Sequence, residues 1–458
     1  MHAYMGSSFK SKEAGDGEGT YASGGINATI AGKTGSVGHL LSATKEETNG
    51  QRYNSAAANK KLMYQGQWSA DVNNHFNWMG GYIHNQFGAN GFYAAPGDKE
   101  SFEVVKTLLF SMGSKHKIGN IVLKPRISNR YNEDDYRYFR HDLSKARSLH
   151  YLNAVMGELH ALYATDFGDF SVGYEARHEK VNSSNLQQHE RTNHGWFAEY
   201  KNRFADRLFV SVGAYWNYNS AFGFQWYPGV DVSYEINEEW KASASVGSSQ
   251  RIPSFMDLYL KQPSNVGNPS LQPENAWQYE AGVYYTKGNK RFQATVFERN
   301  IHNFIDWVRI DSSVPYTPEN FDQQTLRGLQ FLWQHKVDLG NEQSLGYKLS
   351  YQYLSPKAKM LSGGLISKYS LESLKHQAIG GVNYNYKKWS TQLQVRFVER
   401  ELNDPYTVID AKLNYHFPTL TVYAQATNLT DAQYNEAGAV PMPTRWLSLG
   451  AIFKVRWN

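Results

Sequence analysis

"WLSLGAIFKVRWN", Trp446–Asn458, decides the fold. One set of alternate residues is Leu447, Leu449, Ala451, Phe453, Val455 and Trp457; the other is Ser448, Gly450, Ile452, Lys454 and Arg456. A period of two is the signature of a strand with one apolar and one mostly polar face. A soluble sandwich strand also alternates. This apolar row, however, is about twice as long as the usual strand of ~5–6 residues. An aromatic residue closes it, as in the girdle of a membrane barrel.

The pattern recurs along the chain. Leu208, Val210, Val212, Ala214, Trp216 and Tyr218 share a face, and so do Trp277, Tyr279, Ala281, Val283 and Tyr285. Thr407, Ile409, Ala411, Leu413, Tyr415 and Phe417 oppose Val408, Asp410, Lys412, Asn414 and His416. Short turns such as "AGKTGS" (31–36), "TDFGD" (165–169), "NRFADR" (202–207) and "KGNKR" (287–291) separate longer polar connections. The latter include "EETNGQRYNSAAAN" (46–59), "FGANGFYAAPGDKES" (87–101), "YNEDDYRYFRHDLSKAR" (131–147) and "NSSNLQQHERT" (182–192). Strict alternation of short and long connections is expected of an outer-membrane barrel with short periplasmic turns and long extracellular loops. The reading is therefore all-β: a transmembrane antiparallel β-barrel of about 22 strands filling residues 1–458 as one domain, with no residues left for a plug.

Composition agrees. Aromatic residues make up 15% of the 458, with 32 Tyr, 23 Phe and 12 Trp, and there is no Cys for disulfide or thiol chemistry. No apolar run approaches the ~18 residues of a membrane helix. The net charge of +5 is spread along the chain, without a basic cluster, so no nucleic-acid partner is expected. The first residues, "MHAYMGSSFK", lack the pattern of a signal peptide.

No nucleophile elbow, phosphate loop or His-Glu-x-x-His motif is present, and the 15 His are scattered, so an enzyme is not expected. No cofactor is required. The acidic run Glu133, Asp134, Asp135 on a loop is a candidate structural calcium site, against the commoner reading of a solvated charge run. Phe92, Tyr93, Tyr131, Tyr136, Asn265 and Asn268 fall on the expected extracellular loops as candidate ligand contacts. Arg251 is expected to point into the lumen and pair with Glu280, or with Glu274 instead, as wall structure at the root of a loop.

Arg251-Ile252-Pro253-Ser254-Phe255-Met256-Asp257-Leu258-Tyr259, continuing as Gly267-Asn268-Pro269-Ser270-Leu271-Gln272-Pro273-Glu274 and Tyr279-Glu280-Ala281-Gly282, is one block. Asn428-Leu429-Thr430-Asp431-Ala432-Gln433-Tyr434 with Pro441-Met442-Pro443-Thr444-Arg445 is a second. Both resemble TonB-dependent outer-membrane receptors, of the cobalamin-receptor type found in Bacteroides-like bacteria. The resemblance implies a location in outer-membrane lipid and uptake of a scarce nutrient complex, cobalamin or another corrinoid first. Siderophore, haem or glycan uptake are the alternatives, and a plugless porin-like channel is another. It implies energy coupling to the TonB complex through a plug, which the chain is expected to lack, and a possible surface lipoprotein partner. The family usually ends in Phe, whereas this chain ends Trp457-Asn458.

Overall fold

The computed structural model describes residues 1–91, 98–358, 364–368, 374–401, 403–436 and 440–456. Long strands pair antiparallel, each with its neighbour in sequence, from His2–Ser11 to Trp446–Phe453. The last strand closes on the first, with His2 opposite Ile452 and Ser7 opposite Leu447. The sheet's 23 strands comprise 22 that form the wall and the two-residue strand Ile366–Ser367. Closure leaves the wall without a free edge, which an alternating sheet of this size needs in order not to pair with other chains. Ile366–Ser367 covers a short exposed stretch where Lys290–Arg309 outruns one neighbour: Val308 pairs with Ser367 and Arg309 with Ile366.

The wall has two distinct faces. On Phe102–Ile118, Leu108 is 52% exposed, Phe110 49% and Met112 49%, whereas Thr107 is buried and donates to Asn132 across the strand pair. Rings gather at two levels of the apolar face. Near the turn end, Trp240 meets Tyr285 at 4.9 Å between centroids and Trp389 meets Tyr415 at 4.7 Å. Higher up, Tyr174 meets Trp196 at 5.6 Å and Trp196 meets Phe224 at 6.3 Å. Two such belts are the form taken by interfacial aromatic girdles.

The polar face is the inner one. Arg191 and His189 lie on the polar face of Gln187–Phe204, yet they touch Pro253, Phe255 and Tyr259, which leave the wall several strands further round. A path across the lumen connects them.

The connections depart from the expected strict alternation. At one end they are the tight turns 35–36, 70–73, 119–120, 166–167, 205–207, 236–239, 288–289, 341–342, 387–388 and 417–419. The other end carries long segments, 252–273 and 428–445 among them, but also the tight connections 184–186 and 220–222. The stretch 182–192 is therefore a hairpin and not a long loop: Gln187 pairs with Ser183 and the strands run on outward. Many strands exceed the ~9–11 residues needed to cross a bilayer; Thr317–Gly340 has 24. For the same reason Tyr131, Glu133, Asp134, Asp135 and Tyr136 are not on a loop. They form the outer end of the strand Ile121–Arg137.

Candidate functional site at the loop end of the lumen

The excursion 252–273 is built by local rules and then docked inward. Pro253 precedes Ser254, which caps the five-residue helix α1, Phe255–Tyr259. The Ser254 side chain accepts from the Asp257 amide at 3.1 Å, and the Asp257 carboxylate accepts from the Ser254 amide at 2.9 Å and its hydroxyl at 2.8 Å. This reciprocal cap satisfies donors that a helix start otherwise strands. After α1 the chain turns back: Gly267 donates to the Leu260 carbonyl at 2.7 Å and Asn268 to the Asp257 carbonyl at 2.8 Å. Gly267 is required by this approach. A Cβ there would lie 2.7 Å from the backbone nitrogens of Tyr259 and Leu260.

Asp257 is the hub. It is 4% exposed, and besides capping α1 it accepts from Trp307 Nε1 at 3.0 Å and from Arg251 Nη2 at 3.2 Å. Arg251 also donates to Glu274 Oε1 at 3.0 Å, and that oxygen accepts the Ile305 amide at 2.8 Å. One carboxylate thus ties the excursion to its own strand and to a strand two places round the wall. Two small apolar cores complete the docking. Leu260 packs with Val181, Leu186 and Trp307, and Leu258 with Leu271 and Ile305. Arg191 bonds the Pro253 carbonyl at 2.8 Å and Glu179 at 2.6 Å, and its guanidinium sits 4.6 Å from the Phe255 ring centre. Tyr259 stacks on His189 with ring centroids 3.6 Å apart.

A second assembly ties the loops nearer the N-terminus. Arg140 reaches Glu100 at 3.1 Å, Asn54 at 2.9 Å and the Tyr53 hydroxyl at 3.1 Å, and Tyr53 donates to Glu100. Asn54, 2% exposed, donates to the Ser101 carbonyl at 2.7 Å. The mouth of the lumen is thus lined by segments bonded to one another.

The structure distributes the sequence candidates as follows. Arg251 pairs with Glu274, while Glu280 lies further down the same strand opposite Ser245. Asn268 donates its amide to the Pro318 carbonyl and accepts from Ser270, and Asn265 accepts from Lys368 at 3.2 Å. Both serve to hold the excursion. Tyr131 shares the outward apolar face with its partner Leu108, so it is turned away from the lumen. Tyr136 is buried on the inner face and donates to Asp98 at 3.1 Å. Phe92 and Tyr93 lie outside the described residues.

Glu133, Asp134 and Asp135 do not converge as a calcium site requires, because neighbours on a strand point to opposite faces. Glu133 bonds Lys106 at 2.8 Å, and Asp135 bonds Arg137 and Arg147, each at 2.6 Å. No group of three or more His, Asp or Glu among the described residues is placed to hold a metal ion. Asp134 points inward. A rise of about 3.3 Å per residue from the turn at Ile121, with a tilt of about 40°, carries it past the ~25 Å apolar band. Burial, with the Glu103 charge beside it, pushes its carboxyl up to about 7, partly offset by His150. Sequence reasoning missed Asp257 and Trp307. The Ser254-x-x-Asp257 spacing is a capping signal that could have found the first; nothing local marks the second.

A closed barrel with alternating faces, ringed by aromatics and carrying its docked segments at one mouth, defines a membrane-spanning β-barrel with a lumenal site. The family model described as TonB dependent receptor-like, beta-barrel, matches residues 7–429, and the chain belongs to that family. It is an outer-membrane protein, and the family is one of transporters and receptors. The chain is 26% identical over 343 residues to the vitamin B12 transporter BtuB of Photobacterium profundum, covering 71% of this chain and 54% of that one. An iron-regulated outer membrane virulence protein of Vibrio cholerae is 22% identical over 363 residues, 70% and 54% of the two chains. The chain spans about half the length of the curated relatives it matches. Among solved structures, the copper transporter OprC superposes with a TM-score of 0.80 at 12% identity, covering 99% of this chain and 80% of that one. The siderophore receptor PirA from Acinetobacter baumannii gives 0.77 at 12%, with coverages of 98% and 79%. At these identities the structures speak to the fold alone.

Proposed function

We propose that the chain forms the barrel of a receptor that takes up a scarce nutrient complex across the outer membrane, and that the complex is a corrinoid. The sequence relatives carry this reading: the Photobacterium and Vibrio cholerae proteins matched over 71% and 56% of this chain are vitamin B12 transporters. The mouth supports it, because bonded, inward-docked segments present a preformed surface, which lowers the ordering cost of binding. The loop end would face the exterior. Energy would come from a TonB complex acting on a plug segment, and a surface lipoprotein would be an additional partner.

A siderophore cargo is the second reading, favoured by the iron-regulated relative. Cells expressing the complete gene should accumulate radiolabelled cyanocobalamin, and cells lacking it should not. Accumulation of a ferric siderophore with none of cyanocobalamin would transfer the assignment to the second reading. Uptake of neither would remove both.

A further inference from the structure

A cavity of about 420 Å³ opens beside the junction of the first and last strands, lined by Tyr4, Glu46, Gln51, Asn59, Trp446 and Ser448. Most of these residues come from the inner face near the loop end. Tyr4, Gly25, Glu46, Asn59 and Asn85 form one row across five adjacent strands, each in register with the next. The row depends on Gly25. A Cβ at that position would lie 2.6 Å from the Tyr4 ring and 3.0 Å from Glu46 Cγ, closing the space between them. Across that gap the Tyr4 hydroxyl reaches Glu46 at 3.4 Å, a long contact that leaves the carboxylate free to accept more.

The row carries two acceptors without a partner among the described residues, the buried side-chain oxygens of Asn59 and Asn85. Leaving such an oxygen unpaired is costly, and buried polar groups are ordinarily satisfied by protein, water or ligand. Lys61 lies on the same face as Asn59, one step further from the mouth and opposite Thr44. The loop that supplies Gln51 is held in place by the buried Asn54, so the recess exists before a ligand arrives. Its volume suits one ring or a few side arms of a larger molecule.

We propose that this recess receives the hydrogen-bond-donating edge, amide or hydroxyl, of an uncharged ligand, with Trp446 as its apolar wall, and that Glu46 turns anionic groups away. The proposal rests on the uptake reading and sharpens it. An amide-edged neutral complex fits this surface and a polyanionic metal chelate does not.

The test uses the purified chain in detergent micelles with ¹⁵N-labelled tryptophan, the Trp446 indole resonance being assigned by its loss in Trp446→Phe. Propanamide should move that resonance and propanoate should not. Asn59→Leu should weaken the propanamide response at least tenfold, and Gly25→Ala should abolish it. Glu46→Gln, which keeps the shape, should let propanoate in. Heat-modifiable migration on gels shows whether each variant keeps its barrel. The inference is overturned by no response to propanamide, by equal responses to both probes in the wild type, or by an unchanged response in folded Asn59→Leu. Cyanocobalamin uptake without a propanamide response would sink the recess and leave the uptake reading standing. The selective response without uptake of any nutrient complex would do the reverse.

Discussion

Replacing Asp257 by alanine should release the excursion while leaving the wall intact. The carboxylate accepts from the amide and hydroxyl of Ser254, from Trp307 Nε1 and from Arg251. The Ser254 cap onto the backbone amide of residue 257 survives, but losing the carboxylate's bonds to the Ser254 amide and hydroxyl costs about 1 kcal/mol. Stranding the indole N–H of Trp307, a residue only 5% exposed, costs about 1–3 kcal/mol more. Arg251 is 46% exposed at its side chain, so water screens that pair and its loss adds well under 1 kcal/mol. The sum is about 3 kcal/mol, which raises the local opening constant roughly 100-fold. Hydrogen exchange at the amides of Leu258, Leu260, Gly267 and Asn268 reads this opening directly, since each bonds within the excursion. The wall amides of Ala242–Val246 should keep their protection. Asp257→Asn should fall between, because it retains an acceptor for Trp307 but turns an amide group against the donors of Ser254. A change below threefold at all four amides in Asp257→Ala would refute the account, and the two apolar cores would then be the real anchor.

Three other outcomes follow from the same geometry. Gly267→Ala places a Cβ against the backbone of Tyr259 and Leu260, so exchange across 252–273 should accelerate at least as much as in Asp257→Ala, again without melting the barrel. Asp134 holds its proton up to about pH 7, well above an unfolded carboxyl near 3.9. Its contribution to stability is therefore fully present below about pH 4 and lost as pH rises towards 7. Protection factors at residues 131–137, taken against the intrinsic exchange rate at each pH, should fall over that window in the wild type, and Asp134→Asn should flatten the fall. Tyr131→Ala, altered on the outward face, should leave ligand binding to intact cells unchanged; a tenfold loss would mean that this face is not turned to lipid.

The wall was legible because the bilayer imposes its chemistry on every other residue. Leu447, Leu449, Ala451 and Phe453 carry the pattern alone, and the structure pairs that strand with both neighbours as the alternation requires. Above the apolar band this constraint stops. "NEDDY" has no apolar row, so it resembles a loop, yet its strand continues because Lys106–Glu133 and Arg137–Asp135–Arg147 pairs hold it there. Tyr131 was within reach of sequence reasoning. Continuing the outward row from Ile127 through Asn129 lands on it. The hairpin at 184–186 was hidden for a related reason: polar strands standing in water and polar loops share a composition.

The docking of 252–273 was half legible. Its cap is local and its sequence spacing shows it, but its anchors are not. Trp307 meets Asp257 across 50 residues of chain, and Leu186 meets Leu260 only because the excursion folds inward over wall strands a few places away. The same argument bears on cargo. Chains 12% identical to this one superpose with TM-scores of 0.77 and 0.80, so the barrel demands a pattern of faces and very few particular residues. A shared barrel shape is then a poor guide to what passes through. Discrimination must lie where the pattern leaves the residue type free, on inward positions near the mouth. At one such row the chain places Gly25 between Tyr4 and Glu46, and Asn59 beside Asn85, where lumenal polarity alone would have been met by any serine.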